Sequence, residues 1–185
     1  LREHLGVADD EILLGHVGRF SVQKNHAGLL RIFAALLPKM PKARLLLLGG
    51  GALEGETRAL AKALGVADKV IFAGVRTNVQ AFYAAMDAFL LPSLFEGLPV
   101  VLVEAQAAGL PCFVSDTVDR GAAFADNVQF LPLHKPQIWA HAIRYTDLTR
   151  NPNAQQQAMD AGFDIHTSAR ILQEFYLRRW QEVQK

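Results

Sequence analysis

The sequence predicts an α/β fold: a Rossmann-like, doubly wound parallel sheet of about six strands. Three observations lead there. Short apolar runs alternate with amphipathic ones from residue 12 to residue 131, which reads as strands joined by helical crossovers. The run Ala43–Leu48 is nearly continuous in apolar residues and bounded by glycine, as expected of a strand covered on both faces. The residues with unusual chemistry all follow strands, and such sheets bind ligands beyond the carboxyl ends of their strands, where the strand order reverses.

Taken in order, residues 1–10 read as a linker or short helix. Ile12–Val17 is a strand closed by Gly18, with Arg19 and Lys24 in the loop that follows. A helix runs from about His26 to Pro38 and ends before Met40-Pro41, since proline cannot continue it. After Ala43–Leu48, three glycines turn the chain into a helix over Leu53–Leu64, stopped by Gly65. Lys69–Ala73 is the third strand, and Asn78 is expected to cap a helix over Val79–Met86. Ala88–Leu91, Cys112–Ser115 and Val128–Leu131 complete the strands. Helices are expected over Pro136–Leu148, Asn153–Ala161 and Ser168–Val183. In domain terms, residues 11–165 form the Rossmann-like unit and 166–185 a carboxyl-terminal helix.

Composition narrows the function classes. With 185 residues, 51% hydrophobic and 20% charged, the chain has the makings of one globular domain with a real core. A net charge of +1 argues against a nucleic-acid binder. The single Cys112 excludes an internal disulfide and points to a reducing compartment. No apolar run approaches the roughly 20 residues of a membrane span. A cytoplasmic protein is expected, peripheral at the inner face of a membrane if its acceptor is lipid-linked. The sequence opens on Leu1 rather than Met, which suggests a piece of a longer protein.

The chain is organised around Phe95–Pro111, FEGLPVVLVEAQAAGLP. Gly97 and Pro99 mark a turn into a helix over Val100–Ala108, whose first free backbone amides make a ready anion site. That helix is apolar almost all round and is expected to be buried. It nevertheless carries Glu104, a group that is costly to bury without partners. Glu96 stands just ahead of the helix. An anion site flanked by two carboxylates suits a phosphorylated, hydroxyl-rich ligand.

The phrase from Leu90 to Asp116, with its Glu96-x7-Glu104 spacing, resembles the retaining glycosyltransferases of the GT-B fold, and family 4 most of all. The resemblance implies the carboxyl-terminal, nucleotide-sugar-binding domain of such an enzyme, one half of a GT-B fold. It implies a missing amino-terminal domain that supplies the acceptor site, so the chain alone is expected to bind but not to turn over. Arg19 and Lys24, after Gly18, would neutralise the diphosphate of the leaving nucleotide. Glu96 would hold sugar hydroxyls, and Glu104 the two ribose hydroxyls. Backbone amides of Gly97, Leu98, Pro99 and Val100 would surround the phosphates, proline contributing geometry rather than a donor. Gly74, Val75 and Arg76 match the nucleobase seat, and Gly50 lies in the family's glycine-rich loop, where plain turn geometry explains it equally well. A UDP-sugar is the first choice of donor and a GDP-sugar the second, with no cofactor or metal. The absence of any Asp-x-Asp fits a metal-independent reaction.

Other features carry less. The glycines lack a dinucleotide fingerprint, since Glu54 stands where a third glycine is needed. Six scattered histidines show no ligand spacing; His16 reads as a satisfied core residue, and His26 as a loop residue or a phosphate contact. Phe175, Tyr176 and Trp180 form a packing stripe with Leu172 and Val183. In relatives this helix crosses to the partner domain, so weak self-association is expected of the chain alone. Two rivals stand beside the transferase reading: half of a sugar-nucleotide epimerase, and a receiver-like module, which lacks its acidic cluster here.

Overall fold

A computed structural model describes residues 1–183. Its sheet contains β1 (Ile12–Val17), β2 (Ala43–Leu48), β3 (Val70–Gly74), β4 (Ala88–Leu91), β5 (Cys112–Ser115) and β6 (Val128–Leu131). All pairings are parallel, in the order β3-β2-β1-β4-β5-β6. The strand order reverses between β1 and β4. There the ladder is short: Leu14 pairs with Ala88 and Gly15 with Phe89, and beyond them the strands part.

Period-two alternation decides the two cores. Leu14, Leu45, Leu47, Leu90 and Phe113 face α1 (His26–Leu36), α2 (Glu54–Ala63) and α5 (Pro136–Tyr145). Leu13, Leu46, Leu48, Phe89 and Leu91 face α3 (Val79–Ala85) and α4 (Val100–Ala107). Leu45–Leu48 are all buried, because β2 is covered on both faces as its composition requires. The short α6 (Ala154–Asp160) lies beside α4. Ahead of it, Arg150 donates to the carbonyls of Tyr83, Ala84, Met86 and Ala108, serving the open ends of α3 and α4 together.

Three expectations are corrected. Asn78 occupies the cap position of α3, yet its side chain makes no capping bond, because its own φ/ψ of −96°/53° departs from the extended geometry of a cap. The helix α4 is buried on one stripe only, at Leu102, Ala105 and Gln106, while Val100 is 59% exposed. One face rests on the sheet and α6 takes part of another, leaving the rest open. Glu104 belongs to that open side and is exposed. The stripe on α7 (Ile165–Val183) is uncovered among the described residues, in line with the expected self-association surface: Phe175, Tyr176 and Trp180 are 48%, 63% and 61% exposed. No described helix is long and apolar enough to cross a membrane.

Candidate functional site

The loops after β1, β2, β3 and β4 are tied together at the carboxyl rim by backbone bonds. Gly18 N–H donates to Leu48, Phe20 to Gly50, Gly49 to Gly74, and Leu94 to Gln23. The loops approach so closely that β-carbons do not fit. A Cβ at Gly49 would fall 2.0 Å from the Gly18 carbonyl oxygen, and one at Gly51 2.6 Å from that of Phe20. Two of the three glycines are therefore explained by packing. The middle one, Gly50, lines a cavity of about 320 Å³ with Gly18, Arg19, Val75, Arg76 and Val79.

Five of the candidate residues thus converge on one hollow. Arg19 is exposed and makes no ion pair among the described residues, so its guanidinium is available to an anion. Arg76 folds back, its Nε donating to the Ala73 carbonyl at 2.8 Å. Val75 is exposed at the mouth. Gly74 turns the end of β3 at φ +69° and borders the hollow through its bond from Gly49.

Lys24 and Glu96 meet across the gap between β1 and β4. Nζ lies 2.7 Å from Oε1, with the side chains 15% and 6% exposed. Gln23 donates to the other Glu96 oxygen at 3.1 Å. The two residues expected to hold phosphate and sugar separately form one charged pair. Gly97, Leu98 and Val100 are exposed beside it, and Pro99 is buried at the start of α4. Glu104, expected to be buried and unpartnered, instead lies at the surface and accepts from the Tyr83 hydroxyl at 2.9 Å. Burial, and then Glu104 itself, push the Tyr83 phenol above its ordinary pKa, so it remains a donor.

Sequence reasoning missed several supports. Asn25 sits at φ +51°; its Oδ1 accepts from Gly28 N–H and its Nδ2 donates to Pro92, locking the β1 loop to the β4 loop. An Asn directly before a helix was the available signal. Gln106, fully buried, accepts from Phe124 and Ala125 and donates to Leu102 and Ala122. His26 is not a phosphate contact: it is 3% exposed and stacked on Phe20 at 4.1 Å between ring centroids, as expected of a residue drawn in by the helix it opens. His16 is a core residue, but a half-satisfied one. Its Nδ1 donates to the Leu90 carbonyl at 2.8 Å, while Nε2 is buried with no partner. Burial lowers the pKa of His16 to about 4 and that of His26 to about 3, so both are neutral.

A family model described as glycosyl transferases group 1 matches residues 1–161. The chain belongs to the group 1 glycosyl transferases. Among curated group 1 relatives, it is 36% identical over 176 residues to the putative glycosyltransferase EpsF of Bacillus subtilis (strain 168), covering 92% of this chain and 46% of that protein. The chain spans about half the length of the curated relatives it matches. Among solved structures, it superposes on the Anabaena protein Alr3699/HepE in complex with UDP and glucose with a TM-score of 0.79 at 24% identity, covering 95% of this chain and 50% of that one. It also superposes on the carboxyl-terminal domain of the Francisella tularensis group 1 protein LpcC with a TM-score of 0.67 at 18% identity, covering 83% of this chain and 87% of that one. The fold is one half of the GT-B architecture. Membership of the group 1 glycosyl transferases favours the transferase reading over the epimerase and receiver ones.

Proposed function

We propose that this domain binds the nucleotide-sugar donor of a retaining, metal-independent glycosyltransferase in polysaccharide or glycoconjugate synthesis. The observation that carries the reading is a glycine-floored hollow lined by Gly18, Arg19 and Gly50 at the carboxyl rim, with the Lys24–Glu96 ion pair on the same rim at the β1–β4 crevice. In such sheets that crevice is where ligands bind. The diphosphate lies over Gly18 and beside α4, where Arg19 offers a planar fork and the first amides of α4 offer donors. Lys24 stands between phosphate and sugar. It neutralises charge on the leaving group while holding Glu96 in place for the sugar hydroxyls. The nucleobase rests against Val75 and Arg76, and Glu104 takes the ribose.

UDP is the first nucleotide to test, since HepE, which shares the fold, is solved with it. An amino-terminal domain of the kind that completes GT-B enzymes supplies the acceptor site and a cover for α7. Calorimetry of UDP and GDP binding in EDTA, repeated with magnesium, tests the proposal. Binding in EDTA is expected. Affinity that requires magnesium overturns the metal-independent part, and no binding of either nucleotide overturns the donor-binding part.

A further inference from the structure

The crevice between β1 and β4 is filled by a residue that the proposed chemistry does not use. Past Gly15 and Phe89 the two strands no longer pair, and the Leu90 carbonyl loses its ladder partner. His16 replaces that partner through Nδ1 at 2.8 Å. Its ring stands nearly parallel to Phe89 at 6.3 Å and meets His26 edge-on at 4.8 Å, so it is held from β4 and from α1. A carbonyl can only accept, so Nδ1 carries the proton and Nε2 is left as a bare acceptor. That atom points toward the loop. A Cβ placed on Gly18 would lie 2.9 Å from Nε2 and 3.2 Å from the Cγ and Cδ atoms of Lys24. The space a side chain at residue 18 would need is therefore taken by the His16 ring and the Lys24 stem.

We propose that His16 is a positioning residue for donor binding: it props the Gly18–Lys24 loop at the height that presents Lys24 to Glu96 and to the diphosphate. This rests on the donor-binding reading above. The same geometry explains why residue 18 is glycine. Nothing larger fits between a ring pinned to β4 and the stem of Lys24. A binding group is only as precise as the packing that fixes it, and the imidazole adds a side-chain support to the bonds that tie this loop to its neighbours.

The test uses the whole chain and UDP, with GDP and uridine alongside. His16→Asn keeps a donor for Leu90 but removes the atoms beneath Gly18. It should weaken UDP binding about tenfold and leave uridine binding unchanged, because uridine does not reach the cationic loop. Amide exchange over residues 18–25 should rise. His16→Gln, which keeps an amide atom near the place of Nε2, should retain more UDP affinity than His16→Asn. Gly18→Ala approaches the same contact from above. It should also weaken UDP selectively, and the His16→Asn/Gly18→Ala double variant should bind better than the two single losses combined. The proposal is overturned if His16→Asn matches wild type in both UDP affinity and loop exchange, or if UDP and uridine affinities fall together. A wild-type chain that binds neither UDP nor GDP removes the donor-binding reading instead, and loop exchange alone then decides the role of His16.

Discussion

Burial at single residues sets the acid behaviour of this domain. His16 and His26 have pKa values near 4 and 3 in the fold, against an ordinary value of 6.5. Below pH 6.5 the unfolded chain takes up protons that the folded chain refuses, so stability falls as the pH drops. Their contribution is intact above the ordinary value and is lost as the pH approaches the folded values. Each histidine adds a slope of about 1.4 kcal/mol per pH unit in that window, and denaturant titrations between pH 6.5 and 4 should show the two together. His16→Asn should remove about half of it. Glu104 has the opposite character. It is exposed and bound by one phenol, so Glu104→Gln should leave stability within about 0.5 kcal/mol. UDP affinity should still fall about tenfold, as a charge-assisted bond to ribose is weakened. Melting temperature and dissociation constant measured on the same variant check this, and a large loss of stability with intact binding would make Glu104 structural.

Among the elements, α3 and α4 depend on a side chain from outside both. Arg150 accounts for carbonyls at both helix ends, and burial lowers its pKa from the ordinary value without threatening its charge. Replacing it with Ala leaves several carbonyls poorly satisfied at once. We expect Arg150→Ala to cost about 2 kcal/mol, seen as a melting temperature lower by roughly 4–8 °C. A variant that melts within a degree of wild type would show that water serves those ends equally well. Because α4 opens beside the donor site, such a variant should also bind UDP less tightly. The element-scale lesson of α4 is geometric. An apolar octet reads as buried all round, but a helix of about two turns laid on a sheet has only one face to bury.

The whole molecule carries an unfinished surface. Phe175, Tyr176, Leu177 and Trp180 lie open on α7, which has no buried residue of its own. An exposed apolar stripe tends to find a neighbour. Sedimentation should show weak, concentration-dependent self-association, and Trp180→Glu should abolish it. A clean monomer at high concentration would show that the stripe is tolerated bare.

The sequence by itself determined the strands, their order along the chain, and the rim on which the chemistry lies. These follow from period-two burial, glycine stops and loop position, all of which are local. The family resemblance also pointed to Arg19, Gly18, Gly50, Val75 and Arg76, and the fold gathers them at one hollow. Only the tertiary structure decided which partner each group meets. Lys24 and Glu96 are 72 residues apart and become an ion pair only because β1 and β4 are neighbours. Glu104 is a surface group bound by Tyr83 because α3 comes to lie beside α4, and His16 reaches the Leu90 carbonyl across β1 and β4. Burial and pairing depend on what other elements bring alongside, and that information is spread over the whole chain rather than held in any one stretch of it.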